Sequence, residues 1–178
     1  MKRVLITGAT GFIGRWTPDM LLAKGYEVHA VCSKKPESFE NNSKAVHWHI
    51  CNLLDSPGVN ILFEKIKPTH LLHFAWYTQP GKYKNSDVNL LWVQSGIEIL
   101  RAFEKNGGKR IVVSGTCFEY DLKYGYLIEG LTPSHPETLY GVCKLGLSGI
   151  SRKYCLNNNL SLAWGRIFYA YGPYEDED

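Results

Sequence analysis

The sequence has no long apolar run, no Cys-x-x-Cys pair, no block of like charge and no internal repeat. The first absence excludes a membrane-spanning helix, which needs ~20 consecutive apolar residues. Met1-Lys2-Arg3 runs straight into an apolar strand, so the start of the chain is read as structural and not as a signal peptide. The five cysteines, Cys32, Cys51, Cys117, Cys143 and Cys155, are odd in number and unpaired in spacing. That pattern fits reduced thiols in a cytoplasmic protein and gives no zinc site. His47 and His49 flank Trp48 and share one strand face, but no third ligand accompanies them, and they read as ordinary strand residues. The net charge is only +3, from 20 basic and 17 acidic side chains scattered along the chain. Nothing there points to nucleic acid or to a membrane surface.

What is present is 178 residues, 44% hydrophobic and 21% charged, enough for one domain, 1–178, with a sizeable core. Its organising stretch is Val4-Leu5-Ile6-Thr7-Gly8-Ala9-Thr10-Gly11-Phe12-Ile13-Gly14. A short β-branched run stops at a glycine-rich turn and a helical pattern follows. The spacing G-x-x-G-x-x-G is one residue longer in its first gap than the dinucleotide fingerprint. Gly8 permits the tight turn, Gly11 removes a side chain where a pyrophosphate approaches, and Gly14 lets the helix lie against the sheet. A helix start of this kind suits phosphate.

Further along, strands alternate with helices. A helix is expected over 12–24, irregular at Pro18 and capped by Gly25, then a strand over 26–32 and a polar loop over 33–44. Strands follow at 46–50 and 70–75 around a helix at 57–66, with a loop at 76–86. Helix 87–106, strand 110–114, an irregular stretch 116–135, helix 136–156 and strand 160–168 complete the pattern. This α/β alternation predicts a Rossmann-type doubly wound parallel sheet in the order 3-2-1-4-5-6, with helices on both faces.

Tyr140 and Lys144 form Y-x-x-x-K on the last long helix and share its face. An ammonium beside a phenol stabilises phenolate, so Lys144 is expected to lower the Tyr140 pKa and make it a general acid/base. Thr116 stands at the carboxyl edge of the fifth strand, where its hydroxyl can orient a substrate oxygen.

Taken in order, Thr7 to Gly14, Leu72-His73-Phe74-Ala75, Thr116 four residues before Tyr120, Tyr140-x-x-x-Lys144 and Arg166-Ile167-Phe168-Tyr169-Ala170-Tyr171-Gly172-Pro173 resemble the extended short-chain dehydrogenase/reductases. That is the NAD(P)-dependent epimerase/dehydratase group acting mainly on nucleotide sugars, and the resemblance covers essentially the whole chain. It implies Tyr140 as catalytic acid/base, Lys144 on the nicotinamide ribose, Thr116 as the substrate-orienting hydroxyl, and Asn89, matching an asparagine of the family's long fourth helix, as a further catalytic residue. It implies that Gly8, Gly11 and Gly14, with Phe12 and Ile13, hold the pyrophosphate. Ala75 and its neighbours Phe74 and Trp76 would line the cofactor, as would Asn52 with Leu53 and Ser33 with Lys34.

The chain departs from the family pattern at Tyr169, where Asn is usual, at Asn52, where an Asp often meets the adenine, and at Asp121, where Gly is usual. The second strand ends in Val31-Cys32-Ser33-Lys34-Lys35, with two lysines and no carboxylate for an NAD ribose. The cofactor reading is therefore NAD(P) with a lean to NADP. The implied partners are a nucleotide sugar and a second copy, joined through helices 87–106 and 136–156. The apolar Leu91, Trp92, Ile99 and Phe103 lie beyond a single stripe of the first of these. The chain ends soon after the sixth strand, so a truncated form without the family's C-terminal substrate lobe is expected. Two alternatives stay open: a simple NADPH-dependent carbonyl reductase, and a non-catalytic dinucleotide-binding regulator.

Overall fold

The structure is a computed structural model that describes residues 2–34 and 45–175. Six strands form one sheet: β1 Arg3–Thr7, β2 Glu27–Cys32, β3 Val46–Ile50, β4 His70–His73, β5 Arg110–Thr116 and β6 Ser161–Ile167. All neighbours are parallel and the order is β3-β2-β1-β4-β5-β6. This is the predicted Rossmann-type arrangement. It places the strand-order reversal between β1 and β4, where Val4 pairs with His70 and Thr7 with His73.

Side-chain alternation along the strands builds two cores. Leu5, Val31, Leu71, Ile111 and Val113 face the helices α2 Ser56–Ile66, α3 Val88–Lys105 and α4 Leu139–Asn157. Phe63 and Phe103, both fully buried, meet edge to face there, with centroids 6.5 Å apart. Burying such a side chain stabilises the fold by about 1.5–3 kcal/mol. Val4, Ile6, Val28, Ala30 and Val46 face the other way, against α1 Thr17–Ala23.

Local chemistry moves several helix starts away from the expected positions. The helix expected over 12–24 is instead a 3₁₀ turn at Gly14–Trp16 followed by the seven-residue α1. Pro18 sits in the first turn of α1, where its missing N–H costs nothing, so the break falls upstream of it and no kink forms within. Gly25, at φ +76°, ends the element as expected. Asp55 caps α2 by accepting from Gly58 N at 3.2 Å. The last helix begins at Leu139, not at Pro136, because Thr138 Oγ1 accepts from Gly141 N at 3.1 Å. Lys35, one of the two lysines behind the lean to NADP, lies outside the described residues.

Among the described residues no helix is long and apolar enough to cross a membrane. The five cysteines are free thiols, and no group of three or more His, Cys, Asp or Glu can hold a metal ion among those residues. His47 and His49 instead stack with His29, at 4.9 and 5.1 Å between ring centroids, and His29 Nδ1 and His49 Nε2 share a hydrogen bond of 2.9 Å.

Candidate functional site at the carboxyl edge of the sheet

A groove of ≈ 590 Å³ opens along the carboxyl ends of the strands, over the β1–β4 reversal. One wall is the turn after β1. Gly8 adopts φ +69°, and a Cβ there would stand 2.7 Å from the backbone nitrogen of Ala75. A Cβ on Gly14 would stand 2.2 Å from the Gly8 carbonyl oxygen. Both positions therefore require glycine: one for handedness and close approach, the other because the turn folds back on itself. Thr7, fully buried, fixes the neighbouring strand end, with Oγ1 2.7 Å from His73 Nδ1 and accepting from Ala75 N at 3.4 Å.

Gly8, Gly11, Phe12, Ile13, Gly14, Ser33, Asn52, Leu53, Phe74, Ala75 and Trp76 all line the groove, as do Thr116, Tyr140 and Lys144. Lys34 is exposed at the end of β2 and is not in the lining. Asn89 is not in the lining either. It is fully buried behind Trp76, whose Nε1 donates to its Oδ1 at 2.8 Å, while its Nδ2 donates to the carbonyls of Tyr83 and Ser86. Every hydrogen-bonding arm of Asn89 is used in holding Trp76 and the 3₁₀ turn Tyr83–Asn85.

Thr116 ends β5 and caps the 3₁₀ turn Cys117–Glu119. Its Oγ1 accepts from Phe118 N at 3.3 Å, and Glu119 Oε1 accepts from Thr116 N at 2.9 Å. The reciprocal pair satisfies two donors at once. Tyr140 and Lys144, on one face of α4, are 8% and 1% exposed. Tyr140 is ringed edge-on by Tyr83, Trp76 and Phe118, at 5.0, 6.2 and 6.2 Å between centroids.

The electrostatics differ from the expectation that Lys144 lowers the Tyr140 pKa. Burial pushes the phenol up to about 12, and the neighbouring Thr116 hydroxyl pulls only partly the other way. Burial also pushes the Lys144 amine down to about 7, opposed by the negative charge of Glu119. Desolvation is thus the largest influence on both groups. Lys144 Nζ donates to the Ser114 carbonyl at 2.8 Å and stands 4.0 Å from the Trp76 ring centre.

Asp121, at the position where the family usually carries glycine, shapes the start of the next turn. It caps a second 3₁₀ turn, Leu122–Tyr124, and its N–H donates to Pro133 O at 2.9 Å. Tyr169, in the family's Asn position, is largely exposed and meets Phe118 edge-on at 6.2 Å. Sequence reading overlooked Glu119, a fully buried acid that accepts from Thr116 N, Trp164 Nε1 and Arg166 Nε. Its partners lie 45 and 47 positions away, and no periodicity announces them.

A parallel sheet with its groove at the switch point, a glycine turn on one side and a Tyr/Lys pair on the other, defines a Rossmann-type domain of the extended short-chain dehydrogenase/reductase class. Residues 4–178 match the NAD dependent epimerase/dehydratase family, and the chain belongs to it. It is 30% identical over 172 residues to a dTDP-6-deoxy-L-talose 4-dehydrogenase (NAD(+)) of Aggregatibacter actinomycetemcomitans, covering 95% of this chain and 62% of that protein. It is 27% identical over 186 residues to a UDP-glucose 4-epimerase of Bacillus subtilis, covering 96% and 53%. The crystal structure of the Thermus thermophilus UDP-glucose 4-epimerase complex with NAD superposes with a TM-score of 0.83 at 29% identity, covering 98% of this chain and 57% of that one. The chain therefore spans between half and two thirds of the length of these relatives.

Proposed function

We propose that this chain binds NAD(P) in the switch-point groove and carries the hydride-transfer residues of a nucleotide-sugar epimerase/dehydratase-type oxidoreductase. The observation that carries the reading is the convergence of Thr116, Tyr140 and Lys144 on one groove with the Gly8–Gly14 turn. The glycine turn fits a dinucleotide, since a Cβ on Gly8 or Gly14 would collide with backbone, while Gly11 meets only the Gly8 oxygen at 3.3 Å. When bound, the nicotinamide supplies the hydride acceptor. Tyr140 exchanges a proton with the substrate oxygen, Thr116 orients that oxygen, and Lys144 holds the nicotinamide ribose once Trp76 no longer covers it. At neutral pH burial holds Tyr140 as a phenol, the form that gives a proton when the reaction runs toward the alcohol.

Two finer points belong to the same reading. The exposed Lys34 and the absence of a carboxylate at the end of β2 favour a 2′-phosphate, hence NADP. The similar Thermus thermophilus enzyme was solved with NAD. Dimerisation through α3 and α4 is favoured by Leu90, Leu91, Val142 and Ile150, each 43–55% exposed. Ile99 and Phe103, earlier counted toward that surface, are instead spent in the protein's own core. The five free thiols fit a reducing, cytoplasmic setting.

Isothermal titration with NAD and NADP tests the reading. Binding of either supports it, tighter binding of NADP supports the phosphate assignment, and binding of neither overturns it. Light scattering at tens of micromolar tests the dimer, and a monomer there refutes it.

A further inference from the structure

We propose that Glu119 is a positioning residue for the Thr116–Tyr140–Lys144 group, tying the end of β5 to β6 beside it. The proposal rests on the reading of that group as the reactive site. Glu119 has no exposed surface. A buried carboxylate is costly unless its lone pairs are filled and its charge is answered. Here Oε1 accepts from Thr116 N at 2.9 Å, both oxygens accept from Trp164 Nε1 at 3.0 and 3.2 Å, and Oε2 accepts from Arg166 Nε at 2.8 Å. Arg166 in turn donates through Nη1 to Tyr120 Oη at 3.0 Å and to Glu129. One side chain therefore ties the Thr116 N–H to two β6 side chains, alongside the ladder that pairs Thr116 with Ile167.

The fold makes room for this. A Cβ on Gly115 would stand 2.2 Å from Trp164 Nε1 and 2.5 Å from Glu119 Oε1. The strand residue directly before Thr116 is thus bare where the carboxylate and the indole meet. Lys144 has no salt-bridge partner within 4.0 Å among the described residues. The charge of Glu119 favours the protonated form of Lys144 against burial.

The test is lysine side-chain NMR on the full chain, with the Lys144 signal identified by its loss in Lys144→Met. The Thr116 amide proton and dinucleotide titration are followed in parallel. In Glu119→Gln, Lys144 should titrate lower by roughly half a pH unit or more, because the charge favouring its protonated form is gone. The Thr116 amide signal should move upfield. A folded Glu119→Gln variant whose Thr116 amide signal and dinucleotide affinity both match the wild type overturns the proposal. If Glu119→Gln does not fold, Glu119→Asp keeps the charge but shortens the reach. An Asp variant matching the wild type in both Thr116 amide signal and dinucleotide affinity overturns it equally, and loss of either supports it. Wild-type protein that binds neither NAD nor NADP sinks the cofactor reading alone, since the Thr116 amide signal still decides the role of Glu119.

Discussion

Lys144 Nζ stands 4.0 Å from the centre of the Trp76 indole, and that indole is itself pinned by its N–H to Asn89. The ring therefore closes off an amine that has one acceptor among the described residues, the Ser114 carbonyl. Cation–π attraction of this kind is worth about 2 kcal/mol or more when desolvated. It does not replace the hydration of an ammonium, so the amine loses basicity. In Trp76→Ala, water reaches Lys144 and its titration should move up toward the ordinary lysine range. Lysine NMR reads this, and an unmoved Lys144 signal shows that the indole is not what dries the site.

Lys144→Met should raise the melting temperature at pH 6 while weakening dinucleotide binding about tenfold or more. The folded pKa of about 7 lies below the unfolded value, so the unfolded chain binds the extra proton between them. The wild type therefore gains stability as pH rises from about 7 toward the ordinary lysine value, and is penalised below that window. Methionine keeps the packing without the charge. Melting curves at pH 6 and 9 check this: the variant should be the more stable at pH 6, and the gap should shrink at pH 9.

Tyr140→Phe should lower hydride transfer by about a hundredfold or more in any competent form of the enzyme, with dinucleotide affinity little changed. Because the phenol is pushed up to about 12 by burial, an arriving nicotinamide cation should bring it down. The tyrosinate absorbance band, titrated with and without oxidised dinucleotide and compared with Tyr140→Phe, reads the shift. Turnover by the phenylalanine variant removes Tyr140 from the mechanism.

His73, 3% exposed, is depressed to about 3 by burial and by the nearby Lys144, and its Nε2 has no hydrogen-bond partner among the described residues. Its stabilising neutrality is complete above the unfolded histidine value near 6.5. It is lost as pH falls from there toward 3, at up to about 1.4 kcal/mol per pH unit. His73→Gln should flatten that acid slope. Urea denaturation at pH 7 and pH 4.5 measures it, and equal slopes in both proteins would assign the acid sensitivity to another group.

The strand order and the lining of the groove were legible because both are written locally. An apolar β-branched run before Gly8, or Tyr140 four positions before Lys144, needs no distant partner to be seen. Boundaries were less legible where a cap outranked the periodicity, as at Thr138, and where a proline belonged to a first turn, as Pro18 does. What escaped was set by three-dimensional burial. The Tyr140–Lys144 spacing invited a mutual pKa argument that holds in water. In the groove desolvation is the largest influence on both groups. No spacing announces that Asn89 holds Trp76 and the Tyr83 and Ser86 carbonyls. Glu119 stood unnoticed beside Thr116, since a lone acid after a strand says nothing of the Trp164 and Arg166 that meet it.

The pairing of β1 with β4 sets a timetable for synthesis. Val4 meets His70, and Thr7 meets His73, across 66 positions of chain. Every neighbouring pair in the sheet is parallel, so no hairpin can close early. The first strand, buried along Val4–Thr7, must wait with one edge unsatisfied until α2 and β4 have left the ribosome. Destabilising α2, for instance by removing its Asp55 cap, should therefore cost yield in the cell out of proportion to its cost in the finished fold, because it prolongs that wait.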